Sequence, residues 1–212
     1  TNLEIYAETL LKGKNELYSS KHKNYDFVIA KDGTGDFSSV QDAILALPDY
    51  SKIVVKVLIK NGVYKEKIIL PSSKTNITFI GEDQNKTILT YDNFASKLNT
   101  IGQEIGTSGS ASFFIYGDNF SAENITFSNT AGEVGQAVAV RIDADKSSFK
   151  NCRFLGDQDT LYLVKGGTKQ YFYNCYIEGT VDYIFGAATA FFENCELYNK
   201  NKGYITAAST PQ

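Results

Sequence analysis

Short runs of alternating apolar and polar residues recur along the chain, each opened by an asparagine. They are Asn76-Ile77-Thr78-Phe79, Asn124-Ile125-Thr126-Phe127, Asn151-Cys152-Arg153-Phe154, Asn174-Cys175-Tyr176-Ile177 and Asn194-Cys195-Glu196-Leu197. The gaps between copies are 48, 27, 23 and 20 residues, the first being about two of the later ones. Alternation marks a strand with one face buried, and a period of roughly 20–30 residues marks stacked repeats. No long helical pattern separates the copies, so strands and turns connect them. This predicts an all-β chain, a parallel β-helix in which each coil adds one rung to several parallel sheets. A β-sandwich is the competing reading, but its strands turn over every ~8–12 residues. The asparagines suit turns, because Asn tolerates left-handed backbone and bonds its own neighbours.

The N-terminal region reads differently. Residues 1–24 are polar, with Leu3, Tyr6, Leu10 and Leu17 at loosely helical spacing, and form an extension to a single domain over 25–212. Ser38 and Gln41 make a capping box. Val40, Ile44 and Leu47 then share a face and Pro48 ends the segment. This short amphipathic helix is expected to cap the open end of the β-helix and cover a strand edge. A strand over Ile53–Ile59, an Asn61-Gly62 turn and a second strand over Val63–Leu70 follow.

The repeat also interprets the cysteines. Cys152, Cys175 and Cys195 occupy one position in successive rungs and should stack as buried free thiols. A disulfide leaves one of the three over, and their spacing fits no zinc pattern.

Composition narrows the function. With a net charge of -3, the chain lacks the cationic excess of a nucleic-acid binder. No apolar run reaches the ~18 residues of a membrane span. The start carries no signal-peptide pattern, so the expectation is either a cytoplasmic protein or a secreted one whose leader is gone. The 14 Tyr and 14 Phe, with no Trp, suit a β-rich fold and a surface that stacks on sugar rings. A histidine base has one candidate, His22. Asn-X-Ser/Thr sequons at Asn76, Asn85, Asn119 and Asn124 are read as the chance product of an Asn- and Thr-rich chain.

Three segments carry polar groups where strand residues are usually bland: 135–141 with Gln136, 156–162 with Gln158 and Asp159, and 179–186 with Asp182. Gln136 to Gln158 is 22 residues and Asp159 to Asp182 is 23, about one coil each. Adjacent rungs lie about 5 Å apart, so Gln136, Gln158, Asp159 and Asp182 can converge. Two close carboxylates split their proton affinities and can take different roles, one as nucleophile and one as acid. Gln amides can donate to a developing oxyanion. Neither a metal nor another cofactor is called for. The blander readings are that Asp157 and Asp159 are turn residues and that Gln136 belongs to an internal amide ladder. Asp182 resists that reading, because it lies inside the apolar run from Val181 to Phe185.

From about Tyr25 to Gln212 the chain resembles the pectin methylesterase (pectinesterase) family. The resemblance is carried by Val28–Phe37, Ile59–Tyr64, Gln136-Ala137-Val138-Ala139, Gln158-Asp159-Thr160-Leu161-Tyr162 and Gly179-Thr180-Val181-Asp182-Tyr183-Ile184-Phe185-Gly186. The last two are the most specific, although Tyr183 stands where the family more often has Phe. The resemblance implies a right-handed, single-stranded parallel β-helix that removes methyl esters from galacturonate units of pectin. It further implies a monomer acting outside the cell or in the periplasm or cell wall, with methyl-esterified homogalacturonan as its partner. Asp182 would be the nucleophile, Asp159 the acid and base, and Gln136 and Gln158 the oxyanion site. Tyr162, Phe185 and Thr107, the last within the segment 107–112, would contact substrate. The family also has an Arg in a Leu-Gly-Arg-Pro-Trp motif that pairs with the nucleophile; the sequence stops at Gln212 without it. The expectation is therefore an incomplete C-terminal part and weak or no activity for the 212 residues alone. Other β-helix polysaccharide enzymes (lyases or glycosidases), a non-catalytic pectin-binding homologue and a thioesterase-like relative are the alternatives.

Overall fold

The computed structural model describes residue 22 and residues 24–209. The extension over 1–24 therefore lies almost wholly outside the described residues, as do its four apolar positions. Nineteen short strands, numbered β1 to β19 in chain order, form among the described residues. They assemble into three sheets in which every pairing is parallel. The first sheet holds β1 (Phe27–Ile29), β2 (Val55–Ile59), β5 (Ile77–Gly81), β8 (Ser121–Glu123), β11 (Ser147–Lys150), β14 (Lys169–Tyr173) and β17 (Thr189–Glu193). The second holds β3 (Gly62–Lys65), β6 (Thr87–Tyr91), β9 (Thr126–Asn129), β12 (Arg153–Leu155), β15 (Tyr176–Gly179) and β18 (Glu196–Asn199). The third holds β4 (Ile68–Leu70), β7 (Phe113–Ile115), β10 (Val140–Ile142), β13 (Leu161–Leu163), β16 (Ile184–Gly186) and β19 (Thr206–Ala208). Each coil visits the three sheets in turn, the arrangement of the expected right-handed parallel β-helix.

Alternation along each strand sends one set of side chains into a continuous core. Phe79, Phe113, Phe120, Phe127, Phe149, Phe154 and Phe172 pack there ring against ring. The Phe149 and Phe172 centroids, on adjacent rungs, are 5.0 Å apart with planes 6° from parallel. Such pairs add to the large apolar area each ring buries.

The turn asparagines behave as their chemistry predicts. Asn124, Asn151, Asn174 and Asn194 all have left-handed backbone, with φ between 52° and 57°. Their side chains form an amide ladder up one corner: Asn151 donates to Asn124 at 3.2 Å, Asn174 to Asn151 at 2.7 Å and Asn194 to Asn174 at 3.0 Å. Asn76 departs from this pattern. It precedes β5 in the first sheet, at the corner shared with Asn119, and its side chain donates to the carbonyl of Ser51. The repeat is one of strand-and-corner geometry, and two different corners share one local sequence. The cysteines stack behind the ladder as free thiols, Cys152 and Cys175 buried and Cys195 half-exposed. Cys152 Sγ faces the carbonyls of Ala122 and Lys150.

Helix α1 (Val40–Ala46) caps the stack, burying Val40, Ala43 and Ile44. Its N-cap is Ser39, not Ser38: Ser39 Oγ accepts the Asp42 amide at 3.2 Å. Glu66 reaches from the next coil to accept from Ser39 Oγ and the amides of Val40 and Gln41, placing a carboxylate at the helix start. Gln41 is therefore free of capping, and its amide exchanges two bonds with the backbone of Ile69 in β4, an edge strand. The expected strand over Val63–Leu70 is split, because the chain turns a corner after Lys65 and β3 and β4 join different sheets. Ile53 and Val54 precede β2 and are exposed.

Candidate active site

The site lies on the third sheet and the turns that lead into it. Gln136 and Gln158 form a parallel bridge on neighbouring rungs, with the Ala137 amide donating to the Gln158 carbonyl at 3.1 Å. Gln136 is exposed and Gln158 half-buried, which removes the internal-ladder reading of Gln136. The next pair of turns brings Asp159 beneath Asp182: Asp159 N–H donates to the Val181 carbonyl at 3.3 Å, and Leu161 pairs with Ile184 in register. Both aspartates have left-handed backbone, φ 67° and 51°. Asp adopts that conformation more readily than most residues, because its short polar side chain can bond locally.

These two carboxylates are not ordinary turn residues. Asp159 is only 7% exposed. Burial, reinforced by the negative charge of Asp182, raises its pKa to about 7. Asp182 is half-buried. Among the described residues no Lys or Arg forms an ion pair with either carboxylate. Asp157, two residues before Asp159, is held differently, in an ion pair with Lys200 at 2.5 Å.

Glycine makes the close approaches possible. A Cβ on Gly186, at φ 119°, would lie 2.0 Å from the Leu163 carbonyl oxygen, and one on Gly179 would strike the Tyr183 side chain and the Asp157 carbonyl. Tyr183 itself is fully buried, and its hydroxyl donates to Asn199 Oδ1 at 2.5 Å. A Tyr at this position therefore comes with a polar partner for its extra oxygen.

Beside the acids runs an outward column in register: Phe114, Arg141, Tyr162 and Phe185. Tyr162 and Phe185 stack at 4.2 Å with planes 10° apart, and both are half-buried. Thr107 lies in the single-turn helix α2 (Gly106–Gly109), whose Ser108 carbonyl accepts from Arg141 of that column. The Thr107 carbonyl accepts from Ser110, whose Oγ in turn accepts the Val138 amide.

Two residues escaped the sequence reasoning. Arg141 closes the Gln136–Arg141 segment. Its guanidinium is bidentate to Asp143 at 2.8 and 3.2 Å, donates to the Ser108 carbonyl and sits 5.8 and 5.7 Å from the Tyr116 and Tyr162 rings. A lone cation ending an apolar strand was the available signal. Lys200 carries no local signal, because its partners lie 43 and 44 residues earlier. His22 bonds Asp36 at 2.9 Å beside β1, at the far end of the stack, and does not join the site.

Residues 26–210 match the pectinesterase family. Pectinesterase 31 of Arabidopsis thaliana is 47% identical over 188 residues, covering 85% of this chain and 58% of the relative. Among solved structures, pectin methylesterase from carrot superposes with a TM-score of 0.77 at 38% identity, covering 84% of this chain and 54% of the carrot chain. A pectin methylesterase in complex with a hexasaccharide superposes with a TM-score of 0.79 at 34% identity, covering 88% of this chain and 61% of the other. The chain thus spans little more than half the length of these relatives, and less of several others that it matches. This chain, a parallel β-helix matched across 26–210 and 47% identical to a curated pectinesterase over 188 residues, belongs to the pectinesterase family.

Proposed function

We propose that the protein hydrolyses methyl esters of galacturonate units in pectin, releasing methanol and leaving the free carboxylate on an intact polysaccharide. The observation that carries this reading is the pair Asp159–Asp182, in which burial and a neighbouring charge give one acid a proton affinity near neutrality. Asp182 attacks the ester carbonyl carbon. The carbonyl electrons move to oxygen, and the Gln136 and Gln158 amides donate to that oxyanion. As the intermediate collapses, the C–O bond to methoxide breaks and Asp159 gives it a proton, so methanol leaves. The resulting acyl-enzyme, an anhydride of Asp182, is opened by water whose proton returns to Asp159. Tyr162 and Phe185 offer a stacking face to the sugar, and Thr107 lies on the segment expected to border it. The hexasaccharide held by a relative of the same fold supports an oligosaccharide-sized substrate. A wall polysaccharide as substrate points to action outside the cell. Among the described residues no helix is long and apolar enough to cross a membrane.

Methanol release from highly esterified pectin, with no fall in polymer length, is the decisive measurement. Chain shortening would favour a lyase or glycosidase. Retained pectin binding with no methanol from the full-length protein would favour a non-catalytic homologue. The 212 residues are expected to turn over weakly or not at all, because Asp182 has no cationic partner among the described residues; robust turnover by them would refute this.

A further inference from the structure

Lys200 follows β18 and reaches back across two coils. Its backbone amide donates to the Gly179 carbonyl at 2.8 Å, which ties it to the turn that carries Asp182. Its ammonium group donates to the Gly156 carbonyl at 3.2 Å and pairs with Asp157 at 2.5 Å, which ties it to the turn that carries Gln158 and Asp159. Glu178 Oε1 lies 3.9 Å from the same nitrogen. Neighbouring Asn199 accepts the buried Tyr183 hydroxyl, next to Asp182. The two turns are already stitched together by the Thr180 amide on the Asp157 carbonyl at 2.9 Å and by Thr160 Oγ1 on the Glu178 carbonyl at 2.9 Å.

Such a clip has a physical task. Asp159 and Asp182 both sit at positive φ, a conformation that persists only where surrounding contacts over-determine it. Asp157 is 9% exposed, so its charge needs a partner that stays in place. A lysine bound at once to the side chain of Asp157 and the carbonyl before it fixes the path of the backbone two residues ahead of the Asp159 carboxyl group. From this geometry we propose that Lys200, through Asp157, is a positioning residue that holds Gln158 and Asp159 against Asp182. The proposal rests on the catalytic roles given above and adds a residue that touches no substrate.

The test compares Lys200→Met, Lys200→Arg and Asp159→Asn in the full-length protein, with methanol release and amide hydrogen exchange as readouts. Lys200→Met is expected to lower kcat roughly ten- to a hundred-fold with KM changed less than about twofold, the effect of a misplaced group rather than lost binding. Lys200→Arg, which keeps the charge and the donors, should recover most of the loss. Exchange at Asp159 and Thr160 should quicken in Lys200→Met, while Val140–Ile142 stays protected. Wild-type kcat in Lys200→Met beside an inactive Asp159→Asn overturns the clip and spares the esterase reading. Full methanol release by Asp159→Asn overturns the acid and base role given to Asp159, and the clip with it, whereas no methanol release by the wild type overturns the esterase reading itself. Exchange that is unchanged at residues 156–160, or raised throughout the chain with KM and melting temperature altered together, also overturns the positioning role.

Discussion

Asp159 and Asp182 sit one rung apart, the amide of the first bonded to the carbonyl of Val181, immediately before the second. That bond, with the Leu161–Ile184 pairing just beyond it, ties together the two turns that carry the acids. Burial first, and the nearby charge of Asp182 second, keep the Asp159 proton to about pH 7.

Replacing either acid should remove the chemistry. Asp182→Asn deletes the nucleophile and Asp159→Asn the proton donor, and each should lower methanol release by about 10² to 10⁴ while pectin binding survives. Initial rates together with a binding isotherm on esterified pectin check this. Gln158→Ala should cost about 10² in kcat as one oxyanion donor is lost.

Activity should follow the protonation of Asp159. The acid form is present below about pH 7 and is lost above it, so the acylation step should fade on that alkaline side. Carboxyl chemical shifts in Asp182→Asn should titrate at a lower pH than in the wild type, yet stay above the usual 3.8, because burial remains after the neighbouring charge is gone.

The same shift links to stability. The folded state holds the Asp159 proton to about pH 7, whereas the unfolded chain releases it near 3.8. Its contribution is therefore fully present below 3.8 and is lost as pH rises to about 7, at up to about 1.4 kcal/mol per pH unit. Asp159→Asn should accordingly melt higher than the wild type at pH 8 and lose that advantage toward pH 4. A difference in thermal unfolding that stays constant across that range would show that Asp159 is ionised throughout.

The asparagine ladder offers a separate test. Asn174 combines φ 53° with two amide bonds, to Asn151 and Asn194. Asn174→Gly keeps the backbone and loses the bonds, while Asn174→Ala loses the bonds and strains the backbone by about 1–2 kcal/mol more. Denaturant midpoints should fall in the order Asn, Gly, Ala.

Much of this protein was legible before any coordinates. The coil length followed from the Asn-led strands, because one coil must return each strand to its own sheet, and residues about 22 or 23 apart must then meet. That reasoning brought Gln136 to Gln158 and Asp159 to Asp182, and it stacked the three cysteines. Local sequence failed where two environments share one pattern: Asn76 looks like the other asparagines but turns a different corner. It failed again at the helix start, where Ser39 caps because Glu66, 27 residues away, occupies the neighbouring donors. The proton affinity of Asp159 depends on burial and a charge from another rung. The Arg141 clamp and the Lys200 clip join residues up to 44 positions apart. Periodicity is a property of neighbours along the chain, so the sequence by itself determined the repeat and the candidate acids. Only the tertiary structure decided which charges share a low-dielectric space, because electrostatics and packing act through distance.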